Sequence, residues 1–462
     1  MHRQNKHKNS IRREFILHGN LWTIIFNIGL PLVFYNSISQ LFGIIDTLIA
    51  ASLGARIVST VSFISQIQSL FAAVSAGLGV GGGVLIAKKI GSQDYQHMQR
   101  YIATFLFLIT GFIILILVTA LPLAPWILQL FKIPQDLLHP GIELFRLELI
   151  GLVFIFINTF YFTIERSWGN SETIFWVNTL ILIIKLVATL IFLHYFHLGA
   201  ISLSLASLVA QAIVSIIAVL SFMRNEGKKI IGIIKTEGLN YVAAHEILTL
   251  SLPVFLEKFI FNYGKAVVNT MSAAYGSMAI GALGVSNRIG GIATMPPIGF
   301  QEAEATIISQ NLGNQNTKRA IEAYKITFII NFIFGLIIFF AMSIGKDWLV
   351  NLFAKGDVTF ANEISRVYQY ERYASILLAI SSSVMGLLYG FGYTRTAMIL
   401  NLLRLFAFRI PPLWYFQHFT NLKTEGLGLA MMISNMMMGV SALIVVQIII
   451  YKYRKTVQYD SL

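Results

Sequence analysis

Residues 41–50 read LFGIIDTLIA, and Asp46 is the one charged side chain among them. Other ionisable residues interrupt apolar stretches further along: Glu257, Lys258 and Lys265; Arg288, Glu302 and Glu304; Glu371 and Arg372; Arg404 and Arg409. A charge at the centre of a lipid-embedded helix costs about 2.5–3.5 kcal/mol on insertion scales, so each needs a reason. A carboxylate in that setting can bind a proton or a cation, and a basic residue can hold an anion. Other chemistries find no support. Cysteine is absent, which removes thiol catalysis, disulfides and thiolate metal sites. There is no His-Glu-x-x-His, no Ser–His pair at helical spacing and no intramembrane Asp pair, so an enzyme is not expected. The nine histidines hold no helical pair spaced for a metal, and His194 and His197 read as interfacial. Neither a metal nor a cofactor is expected. The stretch AGLGVGGGVLIAKKIGSQD (76–94) lacks the Gly-Lys-Ser/Thr ending of a phosphate-binding loop. Its glycines at 77 and 81, and at 79 and 83, instead build smooth surfaces for close helix approach.

The elements that must position these charges are long and apolar. The chain has 462 residues, 56% hydrophobic and 12% charged, against about 25% charged in soluble domains. Apolar runs of about 20 residues recur, long enough to cross a hydrocarbon core of about 30 Å. Such runs are helices rather than barrel strands. The expected fold is an all-α polytopic membrane protein with twelve spans, at about 22–51, 58–87, 101–121, 143–164, 173–194, 199–222, 247–275, 281–309, 325–345, 364–389, 396–416 and 428–451. No cleavable signal peptide is read at the start, because the first apolar run has spanning length. The two tails and the even-numbered connections hold about 20 of the 34 Lys and Arg residues. The opposite loops hold about five: Arg56, Lys132, Lys346, Lys355 and Lys423. Positive residues mark the cytoplasmic side, so both termini are expected there. The net charge of +13 then faces an anionic lipid leaflet, and no nucleic-acid partner is expected.

The chain also resembles itself. At an offset of 222, Gly54 meets Gly276, Gly77 meets Gly299, Gly91 meets Gly313 and Gln93 meets Gln315. At 223, Glu148 meets Glu371, Gly169 meets Gly392 and Asn178 meets Asn401. This duplication predicts two pseudo-symmetric six-helix bundles, 1–222 and 247–462, joined by a cytoplasmic linker loop at 223–246. Substrate sites in such proteins lie near the midplane between the repeats. The run MMISNMMM (431–438) reads as packing filler.

The stretches IDTLIAASLGA in the first span and AGLGVGGGVLIAKKIGSQD closing the second resemble the first half of the multidrug and toxic compound extrusion (MATE) family. IGFQEAEATIISQNLGNQN resembles its second-half counterpart, and FRIPPL (408–413) its Arg-x-Pro in helix 11. The resemblance covers nearly the whole chain. It implies a cavity that opens alternately to either side, expelling a small-molecule substrate as a proton or sodium ion enters. The wider superfamily includes flippases of lipid-linked precursors, so the fold alone does not choose the cargo.

The resemblance matches Asp46 to the acidic coupling residue of helix 1; the alternative is a structural carboxylate satisfied by its neighbours. The family's partners in helix 5 are an Asn and, four residues on, an Asp. Counting back from LSLASLVAQ (203–211) puts Lys185 and Thr189 there, while another register puts Asn178 and Leu182. The Asp is missing either way. Sodium prefers oxygen ligands to an ammonium, so proton coupling is favoured. Glu257 is the second candidate for coupling, although it lies closer to Pro253 than the family's helix-7 glutamate does. Glu257, Lys258, Lys265, Arg288, Glu302, Arg404 and Arg409 are assigned to the substrate cavity, with an equal reading of Glu302 and Glu304 as packed near the inner interface. The expectation is a monomeric antiporter of the cytoplasmic membrane, exporting an organic solute or drug. The alternative is a flippase or exporter of an anionic lipid-linked or amphiphilic substrate.

Overall fold

The computed structural model describes residues 2–459 apart from positions 54, 132, 134, 200 and 355. Lys132, Lys355 and the Arg56 side chain, counted above on the outer side, lie outside the described residues. Every regular element among those described is a helix. The first part of the chain forms α1 (His2–His18), α2 (Leu21–Ser52), α3 (Ala55–Gly91), α4 (Tyr95–Leu115), a short α5 (Ala124–Leu130), α6 (Gln135–Ser167), α7 (Ser171–His194), α8 (Ile201–Phe222) and α9 (Lys228–Glu237). The second part forms α10 (Tyr241–Ser272), α11 (Ser277–Gly313), α12 (Thr317–Ile344), a short α13 (Lys346–Ala354), α14 (Val358–Phe391), α15 (Thr394–Phe406), α16 (Ile410–Phe419) and α17 (Glu425–Tyr459).

Among the described residues, ten segments are long and apolar enough to cross a membrane. The α9–α10 pair adds an eleventh, bent by 113° at the break. The 37-residue α11 is also long enough to span, but Arg288, Glu302, Glu304 and two internal prolines dilute its apolar character.

Two expectations are corrected. The 223–246 loop is largely helical: a π turn at Met223–Gly227 leads into α9. Ile230 of α9 is buried, and Ile233 and Ile234 pack on the same core, while Lys228 and Lys229 are exposed. An Arg100–Glu237 ion pair at 2.8 Å ties α9 to α4. The eleventh span, expected as one helix, breaks at 407–409. Pro411 and Pro412 cause this: they lack N–H donors, so they fit the first turn of α16 but not the middle of a longer helix.

The repeat is legible in local geometry. Gln93 and Gln315, at the 222 offset, have φ of +58° and +59°. Asp94 then caps α4 by accepting from His97 N–H, and Asn316 caps α12 by accepting from Arg319 N–H. Gly169 and Gly392 end α6 and α14 with φ of +75° and +80°, a region where glycine carries no Cβ penalty.

Contacts group the chain into two compact units. Unit 1 holds Met1–Asn20, Ile38–Phe259 and Ser309–Gln315, and unit 2 holds Leu21–Ser37, Ile260–Ile308 and Asn316–Leu462. The dividing points Ser37 and Phe259 are themselves 222 residues apart. Within unit 1, Gly77 and Gly81 face α10 at Ser251, while Gly79 and Gly83 face α6 at Thr163. The glycine-rich stretch thus serves two helix contacts. Arg13 of α1 donates to the carbonyls of Ile90 (2.9 Å) and Gly91 (2.8 Å), satisfying the open C-terminal end of α3.

Candidate functional sites

In unit 1, α2 and α7 bring Asp46 and Lys185 together: the ammonium donates to Asp46 Oδ2 in an ion pair. The side chains are 29% and 20% exposed, so the pair is partly buried. Thr189, one turn further, donates to the Lys185 carbonyl at 2.8 Å. Asn178 is buried and donates to the Ile174 carbonyl at 2.8 Å. Both of these hydrogen bonds stay within α7.

A third charge belongs to this group and was not assigned to it from sequence. Glu148 of α6 accepts from Gln68 of α3 at 2.5 Å and from Ser204 of α8 at 2.7 Å. It interacts electrostatically with both Lys185 and Asp46. Its pairing with Glu371 in the internal repeat was the signal available.

In unit 2 the charges gather around α14, α15 and α17. Arg404 donates through Nε (3.0 Å) and Nη2 (2.6 Å) to Asn435 Oδ1. Arg409, buried beside the break between α15 and α16, donates to Ser434 Oγ at 2.9 Å and to the same Asn435 oxygen at 3.0 Å. Glu371 accepts from Ser286 and lies in Coulombic reach of both arginines. Lys265 Nζ sits 5.0 Å from the Phe261 ring centroid and the Arg404 guanidinium 5.3 Å, so one ring carries two cations. Ser434 and Asn435 lie inside the methionine run that reads as filler. Met431 and Met438 are indeed buried, and the two polar residues between them hold both arginines.

The remaining candidates lie on α10 and α11. Glu257 is buried in the unit 1 part of α10, and Lys258 beside it is exposed. Arg288 and Glu302 are half-buried at separate points of α11. Glu304 is fully buried, and neither carboxylate oxygen has a hydrogen-bond partner among the described residues. Gly386 of α14 leaves the room it occupies. A cavity beside Glu371 and Ser375 measures about 20 Å³, enough for a water and too small for a solute.

An all-helical chain with repeated spans and paired intramembrane charges defines a polytopic membrane transport protein. The MatE family model matches residues 31–191 and 253–415. The chain is 21% identical over 417 residues to the probable multidrug resistance protein YpnP of Bacillus subtilis, covering 89% of this chain and 92% of that one. It is 22% identical over 397 residues to the probable multidrug resistance protein NorM of Thermotoga maritima, covering 84% of each. Among solved structures, a crystal structure of MATE in complex with MaL6 superposes with a TM-score of 0.87 at 18% identity, covering 96% of this chain and 99% of that one. A MOP superfamily transporter from Pyrococcus furiosus gives 0.86 at 18% identity, covering 95% and 97%. The chain belongs to the MATE family of multidrug efflux transporters and has its twelve-helix fold.

Proposed function

We propose that the protein is a proton-coupled antiporter that expels an organic solute, with Asp46 as the coupling carboxylate. The observation that carries this reading is the Asp46–Lys185 ion pair with Glu148 beside it. A proton arriving at Asp46 neutralises the carboxylate and releases Lys185. The ammonium then turns toward Glu148 on α6, and α7, which carries it, shifts with it. That movement links proton entry to release of the solute. An ammonium in the site also disfavours a sodium ion there, and relatives named for multidrug resistance support a drug-like cargo. We place a monomer in the cytoplasmic membrane with both termini inside, on the bias of basic residues.

Proteoliposomes with separately imposed proton and sodium gradients test the coupling. Efflux driven by the proton gradient and abolished by Asp46→Asn is expected; efflux driven by sodium alone overturns it. For topology, a cysteine introduced at Ser10 of this cysteine-free chain should stay unlabelled by an impermeant outside reagent.

A second reading of the cargo rests on the cations gathered at Phe261 and Asn435. An anionic, lipid-linked or acceptor-rich substrate would be attracted to Lys265, Arg404 and Arg409, whereas an organic cation would be repelled. Robust efflux of monocationic dyes, unaffected by neutralising Lys265 and Arg404, would exclude it.

A further inference from the structure

A cavity of about 260 Å³ lies in unit 1 near the first turns of α4 and α7 and the last turns of α6 and α8, beside α1. It is separate from the ion pair: Thr173 at the cavity precedes Lys185 by 12 residues, about 18 Å of helix. Drug-sized ligands occupy about 300–1,000 Å³, so this space suits a smaller group than an exported drug.

The lining is graded in character. Its floor is buried: Tyr161, Trp168 and Asn170 are 7%, 8% and 9% exposed. Asn170 donates through Nδ2 to the Glu165 carboxylate, but its Oδ1, buried in the same place, has no hydrogen-bond partner among the described residues. A carbonyl oxygen free to accept, next to a carboxylate and walled by two aromatic rings, is chemically suited to a primary ammonium, which brings three N–H donors and a positive charge. The rim has the opposite sign. Lys8, exposed, and Arg12, half-buried, reach the cavity from α1, and Arg12 lies in Coulombic reach of Glu165 and Glu172. Two cations at the mouth suit a phosphate.

We propose that this cavity binds a phosphoethanolamine group, its ammonium between Glu165 and Asn170 Oδ1 and its phosphate on Lys8 and Arg12. The source favoured by position is a membrane lipid, because four candidate spans start or end here, and the ends of spanning helices meet the headgroup region. Occupancy clamps α1 to the α6–α7 turn. The site is independent of the coupling ion and of the exported solute.

Hydrogen–deuterium exchange in nanodiscs tests it. Discs of phosphatidylglycerol alone are compared with discs containing phosphatidylcholine or phosphatidylethanolamine. Exchange in 8–18 and 165–173 should slow at least about fivefold with phosphatidylethanolamine only, since choline carries the same phosphate but no N–H to donate. Soluble O-phosphoethanolamine added to phosphatidylglycerol discs separates the sources: protection at micromolar concentration assigns the site to a free ester, and none assigns it to the lipid, both with the proposed chemistry. Asn170→Ala and Glu165→Gln should each remove the difference between lipids. If Glu165→Gln fails to purify as a monodisperse species, Lys8→Ala, at an exposed position, should still weaken phosphatidylethanolamine titration about tenfold, the loss of one charge-assisted contact. Equal protection by choline and ethanolamine lipids, or a difference that survives both Asn170→Ala and Lys8→Ala, overturns the proposal.

Discussion

Asp46 and Lys185, 139 residues apart in sequence, form an ion pair between α2 and α7. Removing one partner of a fully buried pair costs about 3–5 kcal/mol, because the other charge is stranded. These side chains are 29% and 20% exposed, so water and headgroups offset part of that. Asp46→Asn should therefore cost about 1–3 kcal/mol, and the double change Asp46→Asn with Lys185→Met less than the sum of the singles. Thermal unfolding in detergent would measure the cycle. Strict additivity would mean that the two residues do not couple.

Asn435 offers one carbonyl oxygen to two guanidinium groups, and Arg409 is buried. Hydrogen bonds to charged groups contribute about 1.5–3 kcal/mol, and a buried donor left without an acceptor loses its desolvation energy as well. Asn435→Ala should lower stability by about 2–4 kcal/mol, while Asn435→Asp should be tolerated better because it keeps the acceptor. The same melts decide this, with Met437→Leu, at a neighbouring exposed position, as the neutral control.

Each of the twelve spans read from the sequence coincides with helix over most of its length, the eleventh as two helices broken at 407–409, because long apolar runs leave few alternatives in lipid. What escaped were features that averaging over a span conceals. The isoleucines at 230, 233 and 234 follow the i, i+3, i+4 pattern of a helix, yet KKIIGIIKTE is too short and polar to register as a span. Ser434 and Asn435 vanish among methionines for the same reason. The pairing of Asp46 with Lys185 came from the family resemblance; hydrophobic periodicity carries no signal for two residues so distant in the chain. Glu148 was visible only as a repeat partner of Glu371, and its proximity to the ion pair needs the packing of α3, α6 and α8.

Gly81 lies against α10 so closely that a Cβ would approach the Ile247 carbonyl oxygen to 2.8 Å. Backbone cannot give way cheaply, so Gly81→Ala should destabilise by about 1–3 kcal/mol. A methyl group added at Gly111 in α4 would meet nothing within 4 Å. There alanine should stabilise by about 0.5–1 kcal/mol, since glycine loses more chain entropy on folding. Opposite signs at two helical glycines, read by melting temperature, are the expected result.

Asp94 makes one contribution to stability dependent on pH. Burial alone would push its carboxyl up, but hydrogen bonds from the His97 ring, the His97 backbone N–H and Lys89 together hold it below the usual carboxylate range. A carboxyl depressed in the folded state stabilises fully above its unfolded value, about 3.9, and loses that contribution as pH falls through the folded value. At neutral pH, Asp94→Ala should cost about 1 kcal/mol through loss of the helix cap. The gap to the unmodified protein should narrow below about pH 4. Asp94→Asn should keep the cap and so cost less at neutral pH. Its smaller gap should narrow over the same range, because only the unmodified protein carries the titrating carboxyl. Unfolding curves taken across that range measure both.

Glu148 decides whether the proposed proton step has somewhere to send its lysine. It accepts from Gln68 at 2.5 Å and Ser204 at 2.7 Å, so the carboxylate is fixed in place rather than free to swing. The movement must then come from Lys185, whose long stem can turn from Asp46 once that group is protonated. Without an anion to receive it, the ammonium would be stranded at a cost of several kcal/mol, much of which would appear in the barrier. Glu148→Gln keeps the size of the side chain and an acceptor oxygen but removes the charge. Proton-driven efflux should fall by about ten- to a hundredfold, equivalent to about 1.4–2.8 kcal/mol in the barrier, with solute binding retained. In a Lys185→Met background there is no ammonium to receive, so Glu148→Gln should slow efflux no further. Unchanged efflux in Glu148→Gln would remove Glu148 from the cycle, and a full additional loss in the Lys185→Met background would show that it acts through something other than the lysine.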